Sequence, residues 1–148
     1  MKYLLRTAQI DDIDILNNIE ITCFEESRIS KRSFHHFITK AHANIFVITI
    51  DQTICGYGLI LYKKGVSTAR LYSLAVLPEY RKMGFGKILL AYAEQLAKKH
   101  HCTGITLEVR NDNSIAIHTY LSIGYTQLAI IKDYYEDHAS ALKMIKPL

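Results

Sequence analysis

Three cysteines, two prolines and seven glycines are few for 148 residues, and each shortage closes a class of protein. Cys23, Cys55 and Cys102 are odd in number and lack C-x-x-C spacing, which argues against a disulfide framework and against a zinc ribbon. No Pro/Gly/Ser-rich linker, repeat or low-complexity tract divides the chain, so residues 1–148 are expected to form a single domain. No apolar run approaches the length of a membrane span, and "MKYLLRTAQIDDID" turns acidic too soon for a signal peptide. The expected setting is therefore the reducing cytoplasm, with no membrane partner. A net charge of +4, spread over local pairs such as "KRS" and "YKKG", does not call for nucleic acid. What remains, 49% hydrophobic and 22% charged residues, is the composition of an ordinary globular domain with a real core.

Periodicity organises that core. "KYLLRTA" reads as a strand. Asp11 or Asp12 can cap a helix bearing Ile13, Leu16, Ile19 and Ile21 or Cys23, and "FEESRIS" ends it. Ser30 caps a second helix with Phe34, Phe37 and Ile38 on one face. "NIFVITI" and "ICGYGLILYKK", joined by "DQT", form a hairpin, and "ARLYSLAV" is a further strand. A helix from about Gly84 to His100 carries Phe85, Leu89, Tyr92, Ala93 and Leu96 on one stripe. "GITLEV" follows as a strand, "NSIAIHTYLSIG" as a helix, and two closing strands form a second hairpin. The order β-α-α-β-β-β-α-β-α-β-β predicts an α/β fold of the mixed α+β kind. About seven strands form a mostly antiparallel sheet with helices on its faces, and one parallel crossover runs through "ARLYSLAV", helix and "GITLEV".

"RKMGFG", Arg81 to Gly86, sits where that crossover enters its helix. A helix N-terminus offers unpaired N–H groups and the positive end of the helix dipole, a site for phosphate. Gly84 and Gly86 let backbone close around an anion, and Arg81, Lys82 and Lys87 add charge. Neither a Walker loop nor a dinucleotide fingerprint fits, since Ile88 follows Lys87 and Leu89 stands where a third glycine is needed. Further on, Glu108 lies on the face of its strand opposite Leu107 and Val109. A carboxylate inside an apolar strand needs water, a partner or a chemical task, and in a cleft it would serve as general base for an amine. Tyr120 is either a core tyrosine or a phenol that protonates a departing thiolate. Asn113 either caps its helix or binds an amide-bearing ligand. The histidines beside Cys102 lack the spacing of a catalytic pair or a metal site.

Together these residues resemble the GNAT-superfamily acyltransferases. The superfamily signature Q/R-x-x-G-x-G/A matches Arg81 to Gly86, followed by L-E-V-R-x-x-N and A-x-x-x-Y-x-x-x-G-Y. Within the superfamily the chain is similar to RimI-type N-α-acetyltransferases. "ARLYSLAV" and "DYYEDHASALKMIKPL" also look like GNAT domains fused to bacterial cysteine-peptidase-like domains. The resemblance implies acetyl-CoA as cosubstrate, held at Leu74, Ala75 and Val76, at Arg81, Lys82, Met83, Gly84, Phe85, Gly86 and Lys87, and at Asn113. It implies Glu108 as base and Tyr120 as acid, with no metal. Backbone N–H near Val76 would polarise the thioester carbonyl. Phe24, Glu26, Tyr57, Tyr134 and Tyr135 are the candidates for holding the acceptor, and core packing would explain the tyrosines nearly as well. The implied acceptor is a protein or peptide N-terminus, the enzyme acting as monomer or homodimer. A small amine such as a polyamine, amino acid or aminoglycoside, or a non-catalytic acyl-CoA-binding role, are the alternatives.

Overall fold

The computed structural model describes residues 2–40 and 42–148. Seven strands form one sheet: β1 (Leu4–Thr7), β2 (Ala43–Ile50), β3 (Thr53–Leu61), β4 (Thr68–Val76), β5 (Gly104–Arg110), β6 (Thr126–Ile131) and β7 (Ala141–Pro147). Their spatial order is β1-β2-β3-β4-β5-β7-β6, and every neighbouring pair is antiparallel except β4 with β5. Four α-helices accompany them: α1 (Ile13–Cys23), α2 (Lys31–Thr39), α3 (Phe85–Lys99) and α4 (Ser114–Ser122). This is the mixed sheet, with its single parallel crossover, that the patterning predicts.

Alternation along the central strands fills both faces. Ile45 and Val47 of β2 join Leu16 and Ile19 of α1 and Phe34 of α2 in one cluster. Phe46 and Ile48 face the other way, onto Leu89 and Ala93 of α3. Two-sided burial explains why "NIFVITI" is a near-continuous apolar run rather than an alternating one. Each wholly buried Leu, Ile or Phe contributes roughly 1.5–3 kcal/mol of transfer free energy. The β2–β3 turn is made by Asp51 and Gln52, both at positive φ (48° and 70°), the pairing that matches strand twist in a two-residue hairpin. Gly58 of β3 is needed for close approach, because a Cβ there would overlap the ring of Phe46.

Two local expectations change. Ile21 points to solvent, and the buried stripe of α1 is Leu16, Ile19 and Glu20, with Cys23 half-buried. Asp12 occupies the N-cap position of α1 without capping it through its side chain. Its carboxylate is instead held by Arg6 at 2.8 and 3.0 Å and by the Gln9 N–H at 2.7 Å. A guanidinium outcompetes a neutral amide for a half-shielded carboxylate, and it holds Asp12 below the ordinary carboxylate range.

Candidate active site

The parallel ladder between β4 and β5 is short: Thr68–Leu71 pair with Gly104–Leu107, and there it stops. At the next residue β4 bulges, since Leu71 faces Ile60 and Ser73 faces Leu59, leaving Tyr72 as the extra residue. β5 meanwhile continues to pair with β7 as far as Arg110. The edge of Tyr72–Val76 that faces β5 is thus left without a strand partner, and two cavities open at the break.

The cavity on the α3 side, about 430 Å³, is lined by Leu74 and Val76 of β4, the Arg81–Lys87 turn and the α4 residues Ala116, Thr119 and Tyr120. Gly84 sits at φ 81° as the residue before α3, with no side chain capping the helix, so the first N–H groups of α3 stay open. Lys82 is also left-handed, at φ 68°, which turns the loop back over the helix end. A Cβ built on Gly86 meets no protein atom within 4 Å. Free N–H groups, open space above glycine and the ammonium groups of Lys82 and Lys87 are what a pyrophosphate requires, so the residues fit the phosphate end of acetyl-CoA. Arg81 is committed locally: its Nε donates to the Val76 carbonyl at 3.0 Å and its Nη2 approaches Cys23 Sγ at 3.6 Å.

The second cavity, about 600 Å³, opens on the α1 side and gathers Glu20, Phe24, Glu26, Arg70, Ser73, Glu108, Tyr134 and Tyr135 from distant parts of the chain. Leu74 and Tyr120 line both cavities and form their junction. Glu108 is half-buried and ion-paired: Arg70 Nη2 lies 3.0 Å from Oε1 and Arg70 Nε 3.3 Å from Oε2. The same Nη2 donates to the Tyr134 hydroxyl at 2.9 Å, tying the sheet to the β6–β7 loop. That loop is pinned from within, because the N–H groups of Tyr134 and Tyr135 both donate to the Ala139 carbonyl. Arg110 lies over the Tyr135 ring at 5.1 Å and bonds Asp137 at 2.6 Å. Burial pushes the Tyr135 phenol up to about 12. It also pushes up Tyr120, whose ring packs edge-on against Tyr125 at 5.6 Å.

Four of the residues named from sequence lie elsewhere than expected. Tyr57 is wholly buried in the core and does not line the α1-side cavity, because its hydroxyl is drawn inward to Glu20 at 2.6 Å. Asn113 lines the α1-side cavity, with Oδ1 capping α4 through the Ala116 N–H at 3.1 Å, and does not line the α3-side cavity. Ala75 packs toward the α1 cluster, as pleating requires when Leu74 and Val76 line the α3-side cavity, which leaves it only its backbone there. Met83 is exposed on the outside of the turn. Sequence reasoning missed Glu20, Arg70, Ser73 and Arg110. A signal existed for three of them: Glu20 falls on the apolar stripe of α1, Arg70 interrupts an apolar strand as Glu108 does, and Arg110 is the arginine of L-E-V-R-x-x-N.

The chain belongs to the GNAT acetyltransferase family, whose model matches residues 13–125. It is 28% identical to an N-alpha-acetyltransferase of Sulfurisphaera tokodaii, over 99% of this chain and 94% of the relative. Its fold superposes on the ribosomal-protein-S18-alanine N-acetyltransferase of Escherichia coli with a TM-score of 0.88 at 23% identity, covering 99% and 94% of the two chains. Ard1 of Thermoplasma volcanium gives 0.87 at 24% identity, covering 100% and 99%. The reaction class is therefore acetyl transfer from acetyl-CoA to an amine. No helix among the described residues is long and apolar enough to cross a membrane.

Proposed function

We propose that the protein acetylates the α-amino group of a peptide or protein N-terminus by direct transfer, in the manner of RimI-type enzymes. The observation that carries this reading is the meeting of the two cavities at Leu74 and Tyr120. A thioester entering from the α3 side and an amine entering from the α1 side would meet there. Holding both in one cleft removes much of the entropic cost of a bimolecular step. Glu108 faces the acceptor cavity and accepts a proton from the reacting nitrogen, while Arg70 fixes its orientation. Tyr120 protonates the departing thiolate. Burial keeps its phenol protonated, and desolvation raises the proton affinity of thiols there too, as it does for Cys23 on the cavity wall. The acceptor's first residues would lie between Phe24 and Glu26 on one wall and the Tyr134–Tyr135 pair on the other. Two walls from separate loops, each carrying an aromatic ring, suit an extended peptide better than a compact amine.

The test is CoA thiol release from acetyl-CoA with a panel of free-N-terminus peptides and small amines. Turnover on peptides, lost in Glu108→Gln and Tyr120→Phe, is the expected result. Turnover confined to polyamines, amino acids or aminoglycosides would replace the acceptor. Acetyl-CoA binding with no turnover on any acceptor would leave a binding module in place of an enzyme.

A further inference from the structure

Glu20 is a carboxylate with 1% of its surface exposed, yet it contributes to the wall of the acceptor cavity. Its Oε1 accepts the Ile29 N–H at 2.7 Å and its Oε2 accepts the Tyr57 hydroxyl at 2.6 Å. The Tyr57 oxygen lies 2.8 Å from Ser73 Oγ. A tyrosine has one proton to give, and Glu20 takes it, so Ser73 must be the donor to Tyr57. The serine proton is then directed inward, and its lone pairs remain for a donor in the cavity that Ser73 lines. An acceptor ammonium is such a donor.

The chemistry leaves room for a second proton acceptor. In forming an amide, an ammonium nitrogen loses two protons: one to become nucleophilic, one from the zwitterionic tetrahedral adduct. Both oxygens of Glu108 are already occupied by Arg70, whereas no cation hydrogen-bonds Glu20 among the described residues. Building on the acetyltransferase reading above, we propose that Ser73, Tyr57 and Glu20 form a proton relay that takes one of these two protons from the acceptor amine. The N–H bond breaks toward Ser73 Oγ, the serine proton passes to Tyr57, and the tyrosine proton passes to Glu20 Oε2. The products are a neutral amine and a protonated Glu20, which returns its proton to water by the same path once product leaves. Only Ser73 touches the substrate, while Tyr57 and Glu20 act behind it. Burial holds Glu20 above the ordinary carboxylate range, which suits a terminal proton acceptor.

The test compares an ordinary α-amine peptide with the same peptide bearing an aminooxyacetyl terminus, whose nitrogen is unprotonated at neutral pH and has one proton fewer to lose. Ser73→Ala cuts the relay at the cavity, and Ser73→Thr restores the hydroxyl. Glu20→Gln keeps both hydrogen bonds, with its carbonyl toward Ile29 and its NH₂ toward a reversed Tyr57, while removing the proton sink. Expected is a loss of about 10²-fold in kcat for Ser73→Ala and Glu20→Gln on the α-amine peptide. A much smaller loss on the aminooxy peptide, and recovery in Ser73→Thr, are expected with it. Equal losses on both peptides would mean a purely structural role and overturn the relay, as would undiminished rates in a working enzyme. No turnover by the unaltered protein on any acceptor would overturn the function and the relay together.

Discussion

The two cavities that meet at Tyr120 are built by opposite means. The proposed cofactor side is made of contiguous chain, mostly Leu74–Leu90 with one face of α4, and what it offers an anion is backbone N–H groups left open after a left-handed glycine. The acceptor side is made of side chains from α1, β4, β5 and the β6–β7 loop, and its order comes from charges paired across long stretches of sequence, Arg70 with Glu108 and Arg110 with Asp137. A site built mainly on backbone depends on where its glycines fall more than on most of its side chains. A side-chain site can be retuned one residue at a time.

Substitutions on each side should therefore fail differently. The largest effect belongs to Glu108→Gln, with kcat reduced about 10²–10⁴-fold and acetyl-CoA affinity measured by calorimetry unchanged. Gly86→Asp places a carboxylate in the open space over the helix end. It should weaken acetyl-CoA binding about 10–100-fold while sparing kcat at saturation, because anionic charge there opposes the helix dipole and the phosphates. If that variant instead lost kcat alone, the division between the two sides would be wrong. Arg70→Met frees both Glu108 and Tyr134. About a tenfold rise in acceptor KM, with acetyl-CoA KM unmoved, would show that the pair shapes the acceptor wall. The smallest effect concerns stability against pH. Because burial raises Glu20 in the fold, the folded state binds that proton more tightly than the unfolded chain does. The stability this contributes is complete below the ordinary glutamate range and is lost as pH rises through the raised value. Urea midpoints taken at about pH 4 and about pH 7 should show Glu20→Gln gaining on the unaltered protein as pH rises.

The same division explains what could be read from the sequence. All eleven principal elements follow from periodicity and turn residues, and "RKMGFG" marks the cofactor turn because backbone chemistry depends on where glycines fall. The acceptor side depends on register. Arg70 reaches Glu108 only because β4 pairs β5 with Thr106 opposite Arg70, a fact of topology that no local pattern contains. The placement of Tyr57 depends on topology in the same way. Alternation predicts which face it occupies, but not that Glu20 would approach from α1 and turn its hydroxyl inward. Ile21 and Cys23 looked interchangeable on a helical wheel, and packing against the sheet chose between them.

The short ladder between β4 and β5 has a mechanical consequence. Among the described residues, four residue pairs and the adjoining Thr103 N–H to Ser67 carbonyl bond make up the strand pairing between β1–β4 and the β5-β7-β6 half of the sheet, and past Leu71 the two halves face each other across a gap. A pantetheine arm lying in that gap, bonded to the free edge of β4 and covered by α4, would serve as the missing rungs. Acetyl-CoA would then act as a splint as well as a reactant. The melting temperature should climb with its concentration, by mass action, even in variants that have lost the chemistry.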